Sequence, residues 1–207
     1  MEFYEVRAEE FSKSRGYIWP CVKKYIDTNA HKNNSLIELG CGNGKNIKYA
    51  INNGFHIDNT IGIDNSNSLI NICNRTGLNV VLGDICNISF MNTEFDNVLC
   101  IAVLHHLSTD IQRRRALYNL YKLCKKGGSI LITVWSFESH WLENTSKYKR
   151  NFTLGDNIIY WKHQDERYYY IYTREMLITF IENAKKELYF TYKLEWEEHN
   201  WIVTIFK

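Results

Sequence analysis

The sequence predicts an α/β fold built on a doubly wound, mostly parallel seven-stranded sheet, and three observations carry that prediction. Glu38-Leu39-Gly40-Cys41-Gly42-Asn43-Gly44-Lys45 lies between a short apolar run and an amphipathic one, which reads as strand, glycine turn and helix. Short apolar runs then alternate with amphipathic segments as far as Trp135, the signature of parallel strands joined by helices. Two runs of alternating character near the end, 189–196 and 200–206, read as antiparallel strands that close the sheet.

The elements follow in order. Trp19-Pro20 opens a helix to about residue 27, because proline suits the first helical position and Trp19, Val22 and Ile26 recur at helical spacing. The first strand is expected over 35–39 and its helix over 44–52. A second strand over 60–63 is followed by a helix that Asn65-Ser66 caps. Residues 79–82 form a third strand ending at Gly83-Asp84, and 97–102 a fourth, led by Phe95-Asp96. Thr109-Asp110 caps a long helix to Leu123, with Lys125-Lys126-Gly127-Gly128 as its stop. Residues 129–134 form a fifth strand, and a last helix covers 174–186. The stretch 136–172 is polar and aromatic without clear period. It is too long for an ordinary connection and reads as a substrate-side insertion in a single domain, 1–207.

Three alternate glycines allow positive φ and close approach of a ligand to the backbone. The helix that follows offers unpaired N–H groups and a partial positive charge. The dinucleotide fingerprint would put its third glycine where Lys45 stands; here it falls one residue earlier, on Gly44. An acidic residue two before the first glycine, then alternating glycines, resembles the S-adenosylmethionine site of class I methyltransferases. That resemblance implies the class I methyltransferase fold and S-adenosyl-L-methionine as cofactor. Ligands of such sheets bind outside the carboxyl ends of the strands, where Glu38, Asp64, Asp84, Ile85 and the segment from Ile101 to His105 fall. Glu38 would order the glycine loop or meet the methionine ammonium. Asp64 would hold the ribose. Asp84, with the Ile85 backbone, would face the adenine amino group or simply cap a turn. Asp96 is read as structural.

Composition narrows the alternatives. At 207 residues the chain can bury a substantial core, and a net charge of +2 gives no global field toward nucleic acid or membrane. Six scattered cysteines without a C-x-x-C pair read as reduced thiols of a cytoplasmic or nuclear protein, with no metal site. The charged N-terminus is unlike a signal peptide, and no apolar run approaches the length of a membrane span.

On the acceptor side, Ile101-Ala102-Val103-Leu104-His105-His106-Leu107-Ser108-Thr109 lacks the proline-aromatic clamp of nucleobase amine methyltransferases. The late motifs are more telling. Phe11-Ser12-Lys13-Ser14-Arg15 with Trp19-Pro20, the glycine motif, the Leu-His-His segment with Ser108-Thr109 and Arg113-Arg114, Trp135 with Glu138, Arg167-Tyr168-Tyr169 with Tyr172, and Asn200-Trp201 resemble the eukaryotic tRNA wobble-uridine carboxymethyl methyltransferases. The chain departs from that family at Gly16-Tyr17-Ile18, at His199, at Glu38 in place of aspartate and over 136–160. The resemblance implies methyl esterification of carboxymethyluridine in the tRNA anticodon stem-loop, and a small zinc-binding activator subunit as partner. A carboxylate is already ionised near neutrality and needs positioning rather than a strong base. Arg15 and Arg167 are candidates to hold it, or else surface ion-pair residues. Trp135 and Tyr169 would be walls, and His106 would orient the acceptor or be structural. RNA contacts are expected from Arg113-Arg114-Arg115, Lys122, Lys125-Lys126 and Lys147, Lys149, Arg150, with stacking from the late tryptophans, or else these are a solvated helix face and core aromatics.

Two other readings stand beside this one. The late Arg-Tyr-Tyr and Asn-Trp motifs count against a small-molecule O- or C-methyltransferase. Intact Glu38, Gly42, Gly44 and Asp64 count against a catalytically silent regulatory subunit.

Overall fold

A computed structural model describes residues 2–88, 91–139, 153–161 and 165–207. Two short N-terminal helices, α1 (Glu2–Val6) and α2 (Ala8–Lys13), precede α3 (Pro20–Asn29), whose first position is taken by Pro20 as expected. The alternating part then runs β1 (Leu36–Leu39), α4 (Lys45–Asn52), β2 (Thr60–Asp64), α5 (Asn67–Arg75), β3 (Val80–Leu82), β4 (Phe95–Ile101), α6 (Asp110–Leu123) and β5 (Cys124–Trp135). A hairpin, β6 (Gly155–Trp161) and β7 (Asp165–Ile171), leads to α7 (Arg174–Lys185), β8 (Thr191–Glu197) and β9 (Asn200–Phe206).

The main sheet has seven strands in the order β3-β2-β1-β4-β5-β9-β8. β1 pairs in parallel with β2 and β4, and β9 is antiparallel to β5 and β8. The order reverses between β1 and β4, which opens a crevice at their carboxyl ends. Successive strand residues point to opposite faces. Leu99, Leu131 and Ile202 pack under α3 and α4, whereas Val98, Cys100, Ile130, Ile132, Val203 and Ile205 pack under α6 and α7. Caps hold the helix starts: the Ser66 hydroxyl accepts from Leu69 N–H, and Thr109 and Gln112 form a reciprocal capping box.

Several boundaries differ from expectation. β4 starts at Phe95, and Asp96 inside it accepts from Ser35 N–H at 2.8 Å and pairs with Lys125 at 2.9 Å, a structural role as read. The segment 125–128 does not stop α6. Cys124 is already extended, and 125–128 bulges from β5 opposite Asp96, pinned by Gly127 N–H donating to Lys207 O at 2.7 Å. Within 136–172, expected to lack period, β6 and β7 form a regular ladder from Gly155↔Ile171 to Trp161↔Asp165. Among the described residues no helix is long and apolar enough to cross a membrane.

Candidate functional site

The glycine turn is built by sterics. Gly40, Gly42 and Gly44 have φ of 77°, 56° and 72°, the left-handed region that favours glycine. A Cβ on Gly40 would lie 2.2 Å from Val103 Cγ2, and one on Gly44 would lie 2.4 Å from Leu78 Cδ1. At Gly42 a Cβ would meet nothing nearer than Phe11 Cε1 at 3.8 Å, so this glycine borders the open crevice.

Two carboxylates lie against the turn. Asp64 Oδ2 accepts from Gly42 N–H at 2.8 Å and Oδ1 from Ser66 N–H at 3.0 Å. Burial pushes its pKa up while the Ser66 and Gly42 N–H groups pull it down. It therefore ties the glycine loop to the end of β2, where a ribose would approach. Glu38 is fully enclosed: Asn46 Nδ2 donates to Oε1 at 2.6 Å, and Oε2 has no partner among the described residues. Burial pushes its carboxyl up to about 8, against the opposing pull of the Asn46 hydrogen bond. The folded chain therefore holds a proton that the unfolded chain releases above its ordinary value of 4.5. Stability should fall as pH rises from about 4.5 to about 8, by up to about 1.4 kcal/mol per pH unit. Glu38→Gln should flatten that slope in urea titrations across the window; equal slopes in both proteins would remove Glu38 as the cause.

Asp84 is exposed and accepts from Cys86 N–H at 2.8 Å, which is the turn-capping alternative. The Ile85 carbonyl accepts from Asn119 Nδ2 at 2.8 Å. Ile101 ends β4 before Ala102, which has a φ of 58°, bends the chain into a 3-10 turn over Leu104–His106.

That turn and the inner face of β7 bring together the residues expected on the acceptor side. Arg167, Tyr169 and Ile171 are the buried alternate residues of β7. Tyr169 stacks on Trp135, centroids 4.4 Å apart, and on His105 at 5.2 Å. His105 is structural, its Nδ1 accepting from Trp135 N–H at 3.2 Å. His106 Nδ1 lies 3.0 Å from the Tyr168 carbonyl, an oxygen that can only accept, so the ring proton sits on Nδ1 and Nε2 is the acceptor. The Tyr4 hydroxyl donates to that Nε2 at 3.1 Å, and Arg167 Nη2 donates to the Tyr4 oxygen. Burial and then the Arg167 charge lower the His106 pKa to about 3, so the ring is neutral near pH 7.

Arg167 is buried over the rings of Phe3, Tyr4 and Tyr169, at 4.8, 5.1 and 5.1 Å. Among the described residues it has no carboxylate partner, and its Nε has no hydrogen-bond partner at all. Arg15 does not join it. The Arg15 guanidinium lies 5.5 Å over the Phe11 ring, and its backbone is held by Asn43 of the glycine loop. The expected pair of arginines thus separates, Arg167 on the acceptor side and Arg15 on the rim between acceptor and glycine loop.

Tyr4 and Phe3 escaped the sequence reading. Their signal was the Phe3–Phe11 spacing on an amphipathic start, and their partners lie more than a hundred residues away. Glu5 anchors this N-terminal pair by accepting from the N–H groups of Asn67 and Ser68 at the start of α5. The late motifs Glu138 and Trp201 prove to be a clasp. Glu138 accepts from Trp201 Nε1 at 3.0 Å, Arg174 N–H at 3.0 Å and the Ser136 hydroxyl at 2.7 Å, joining β5, α7 and β9.

Part of the expected basic surface is engaged, while Arg115, Lys122 and Lys126 make no ion pair among the described residues. Arg113 is buried, 3.8 Å over the Tyr170 ring, and Nη1 donates to Leu107 O at 2.8 Å. Arg114 pairs with Asp110 at 2.7 Å and Lys125 with Asp96 at 2.9 Å. Lys147, Lys149 and Arg150 lie outside the described residues. A groove of about 450 Å³ between α6 and α7 is floored by Tyr170 and Tyr172 and lies away from the glycine turn.

Comparison with known proteins matches residues 37–132 to the family described as methyltransferase domain. A relative of Encephalitozoon cuniculi named as a methyltransferase is 30% identical over 185 residues, 85% of this chain and 81% of that protein. The tRNA (carboxymethyluridine(34)-5-O)-methyltransferase of Arabidopsis thaliana is 36% identical over 143 residues, 69% of this chain but 33% of that protein. The chain thus spans about a third of that longer relative. Among solved structures, the DhpI-SAM-HEP complex superposes with a TM-score of 0.72 at 13% identity, covering 99% of this chain and 94% of that one. A Haloferax volcanii methyltransferase solved with the Trm112 methyltransferase activator gives 0.66 at 12%, covering 98% and 96%. At such identities these structures speak to the fold.

Proposed function

Because the chain belongs to the class I S-adenosylmethionine-dependent methyltransferases, we propose that it methyl-esterifies the carboxylate of carboxymethyluridine at the wobble position of tRNA. The observation that carries the reading is Arg167. A buried guanidinium without an anion is costly unless a ligand completes it. Its planar fork matches a carboxylate, and its free Nε and the surrounding rings form a site that such a group would fill. The relatives named for carboxymethyluridine methylation support the same acceptor.

The residues fit the cofactor. Gly42 leaves the backbone open to a ligand, Glu38 Oε2 is a buried oxygen without a hydrogen-bond partner among the described residues, and Asp64 stands at the end of β2. Glu38 would meet the ammonium, Asp64 the ribose and the Ile85 segment the adenine. When bound, the cofactor offers a sulfonium methyl that an acceptor oxygen takes in line, the electron pair of the broken bond staying on sulfur. Arg167 holds and aligns the ionised carboxylate. Phe3, Tyr4, Trp135 and Tyr169 exclude water, which strengthens that ion pair. His106 removes no proton: its Nε2 lone pair is engaged by Tyr4, and a carboxylate has no proton to lose. Its task is to hold Tyr4, and through it Arg167.

A small zinc-binding activator subunit is part of the proposal, supported by the family resemblance and by the activator complex of a protein of the same fold. The test is mass spectrometry of nucleosides from tRNA incubated with the cofactor and the chain coexpressed with that subunit. Carboxymethyluridine-bearing tRNA should gain one methyl as a base-labile ester, and tRNA with plain uridine there should gain none. Equal methylation of both, or of neither, would overturn the reading.

A further inference from the structure

Lys13, Arg15, Lys23, Lys45 and Lys48, cations the catalytic geometry leaves unused, gather beside the glycine loop. Lys45 Nζ donates to the Tyr17 carbonyl at 2.6 Å, which ties the 14–19 segment to the start of α4. Lys23, on α3, lies 5.9 Å from the Tyr17 ring and 6.0 Å from the Tyr49 ring, so α3, α4 and the segment share one face. Lys48 follows Lys45 by three residues on α4 and is exposed on that side. Asn43 Nδ2 donates to the carbonyls of Ser12 and Arg15 at 3.3 and 3.4 Å and to the Ser12 hydroxyl at 3.2 Å, bringing the end of α2 to the same rim.

Among the described residues none of these five cations makes an ion pair. Two carboxylates reach this side without pairing to any of the five: Asp27, one turn from Lys23, accepts from the Tyr49 hydroxyl at 3.0 and 3.2 Å, and Glu197 accepts from Cys21 N–H at 2.7 Å. Glu38 lies beneath Lys45 but is buried. Burial lowers the Lys45 pKa, Glu38 opposes this, and Arg15 lowers it further, so the two cations repel at this rim. Tyr17 is 58% exposed in the middle of the group. The face meets the acceptor site through Arg15, whose guanidinium covers Phe11, itself 5.2 Å edge-on to Tyr4.

We propose that this α3–α4 face binds the phosphodiester backbone of the tRNA anticodon arm, with Tyr17 as a platform on which an unpaired base stacks. The proposal rests on the tRNA reading above and locates its RNA surface here rather than on α6. Unpaired cations interleaved with an exposed aromatic ring are the chemistry that single-stranded and loop RNA requires.

The test is fluorescence anisotropy of an anticodon stem-loop RNA with the full chain. Lys23→Gln/Lys48→Gln should weaken binding about ten-fold and flatten the slope of log affinity against log salt by roughly 0.7–0.9 for each phosphate no longer neutralised. Lys23→Arg/Lys48→Arg should keep affinity and slope. Tyr17→Ala should weaken binding about ten-fold without changing the slope. Arg114→Gln/Arg115→Gln on α6 should shift affinity less than about two-fold. Unaltered binding and slope in the Lys23/Lys48 glutamine variant, or an equal loss in the α6 variant, overturns the proposal. Methylation of the same RNA by the unaltered chain separates the two readings. Binding without methylation sinks the catalytic reading and leaves the face standing; methylation with unaltered binding in the variant sinks the face alone.

Discussion

Arg167→Met should cut methyl transfer to the carboxymethyl acceptor by about ten- to a hundred-fold in kcat/KM, while the thermal midpoint stays level or rises. The activity loss corresponds to about 1.5–3 kcal/mol, the scale of hydrogen bonds to a charged group. The stability outcome has a separate cause. Arg167 is 8% exposed, lacks an anion among the described residues and leaves Nε unpaired. Three aromatic faces offset part of the cost of burying its charge. Methionine fills similar space, keeps favourable sulfur–ring contacts and removes the uncompensated charge. Arg167→Lys should recover only part of the activity, because a point charge cannot reproduce the fork. Calorimetry and steady-state kinetics on the three proteins decide the matter. Full kcat/KM in the methionine variant would dismiss the carboxylate anchor, and a large fall in midpoint would make Arg167 a structural residue.

Gly40→Ala should lower stability by about 2–6 kcal/mol and abolish cofactor binding. Two terms add. A non-glycine residue at a φ of 77° costs about 1–3 kcal/mol. The new Cβ would also stand 2.2 Å from Val103 Cγ2 and 3.1 Å from its Cβ. Overpacking of that kind costs about 1–3 kcal/mol. Val103 is β-branched and follows Ala102, held by its N–H donating to Thr133 Oγ1 at 2.9 Å, so it cannot swing aside. The thermal midpoint should drop on the order of ten degrees. Gly42→Ala is the contrast. Its Cβ would meet only Phe11 at 3.8 Å, so stability should fall by only about 1 kcal/mol while the affinity for S-adenosylhomocysteine falls sharply. Thermal melts and isothermal titration check both. Wild-type melting of Gly40→Ala would mean that the turn relaxes and that packing against Val103 is not its constraint.

Much of the glycine turn's geometry was legible because its determinants are local. Gly40, Gly42 and Gly44 act through their own φ values. Ser66 and Thr109 cap the helices that begin immediately after them. Short, mainly apolar runs such as Leu36–Leu39 and Thr60–Asp64, separated by helices, specify a parallel sheet buried on both faces. Proline at Pro20 and the alternation of 200–206 are likewise read within a few residues.

The acceptor half was decided by tertiary structure. The β6–β7 ladder was hidden because Tyr168, Tyr169 and Tyr170 are chemically alike, so burial alternates along β7 while residue type does not. Arg113, Arg114 and Arg115 read alike on a helix; only Tyr170, brought by a distant strand, separates the buried Arg113 from its exposed neighbours. Arg15 and Arg167 were indistinguishable as candidate clamps until α1 placed Phe3 and Tyr4 around one of them. Backbone conformation answers to neighbours in sequence, which periodicity reports. Whether a charged side chain is covered, paired or left to await a ligand depends on which remote element packs over it, and no local pattern encodes that.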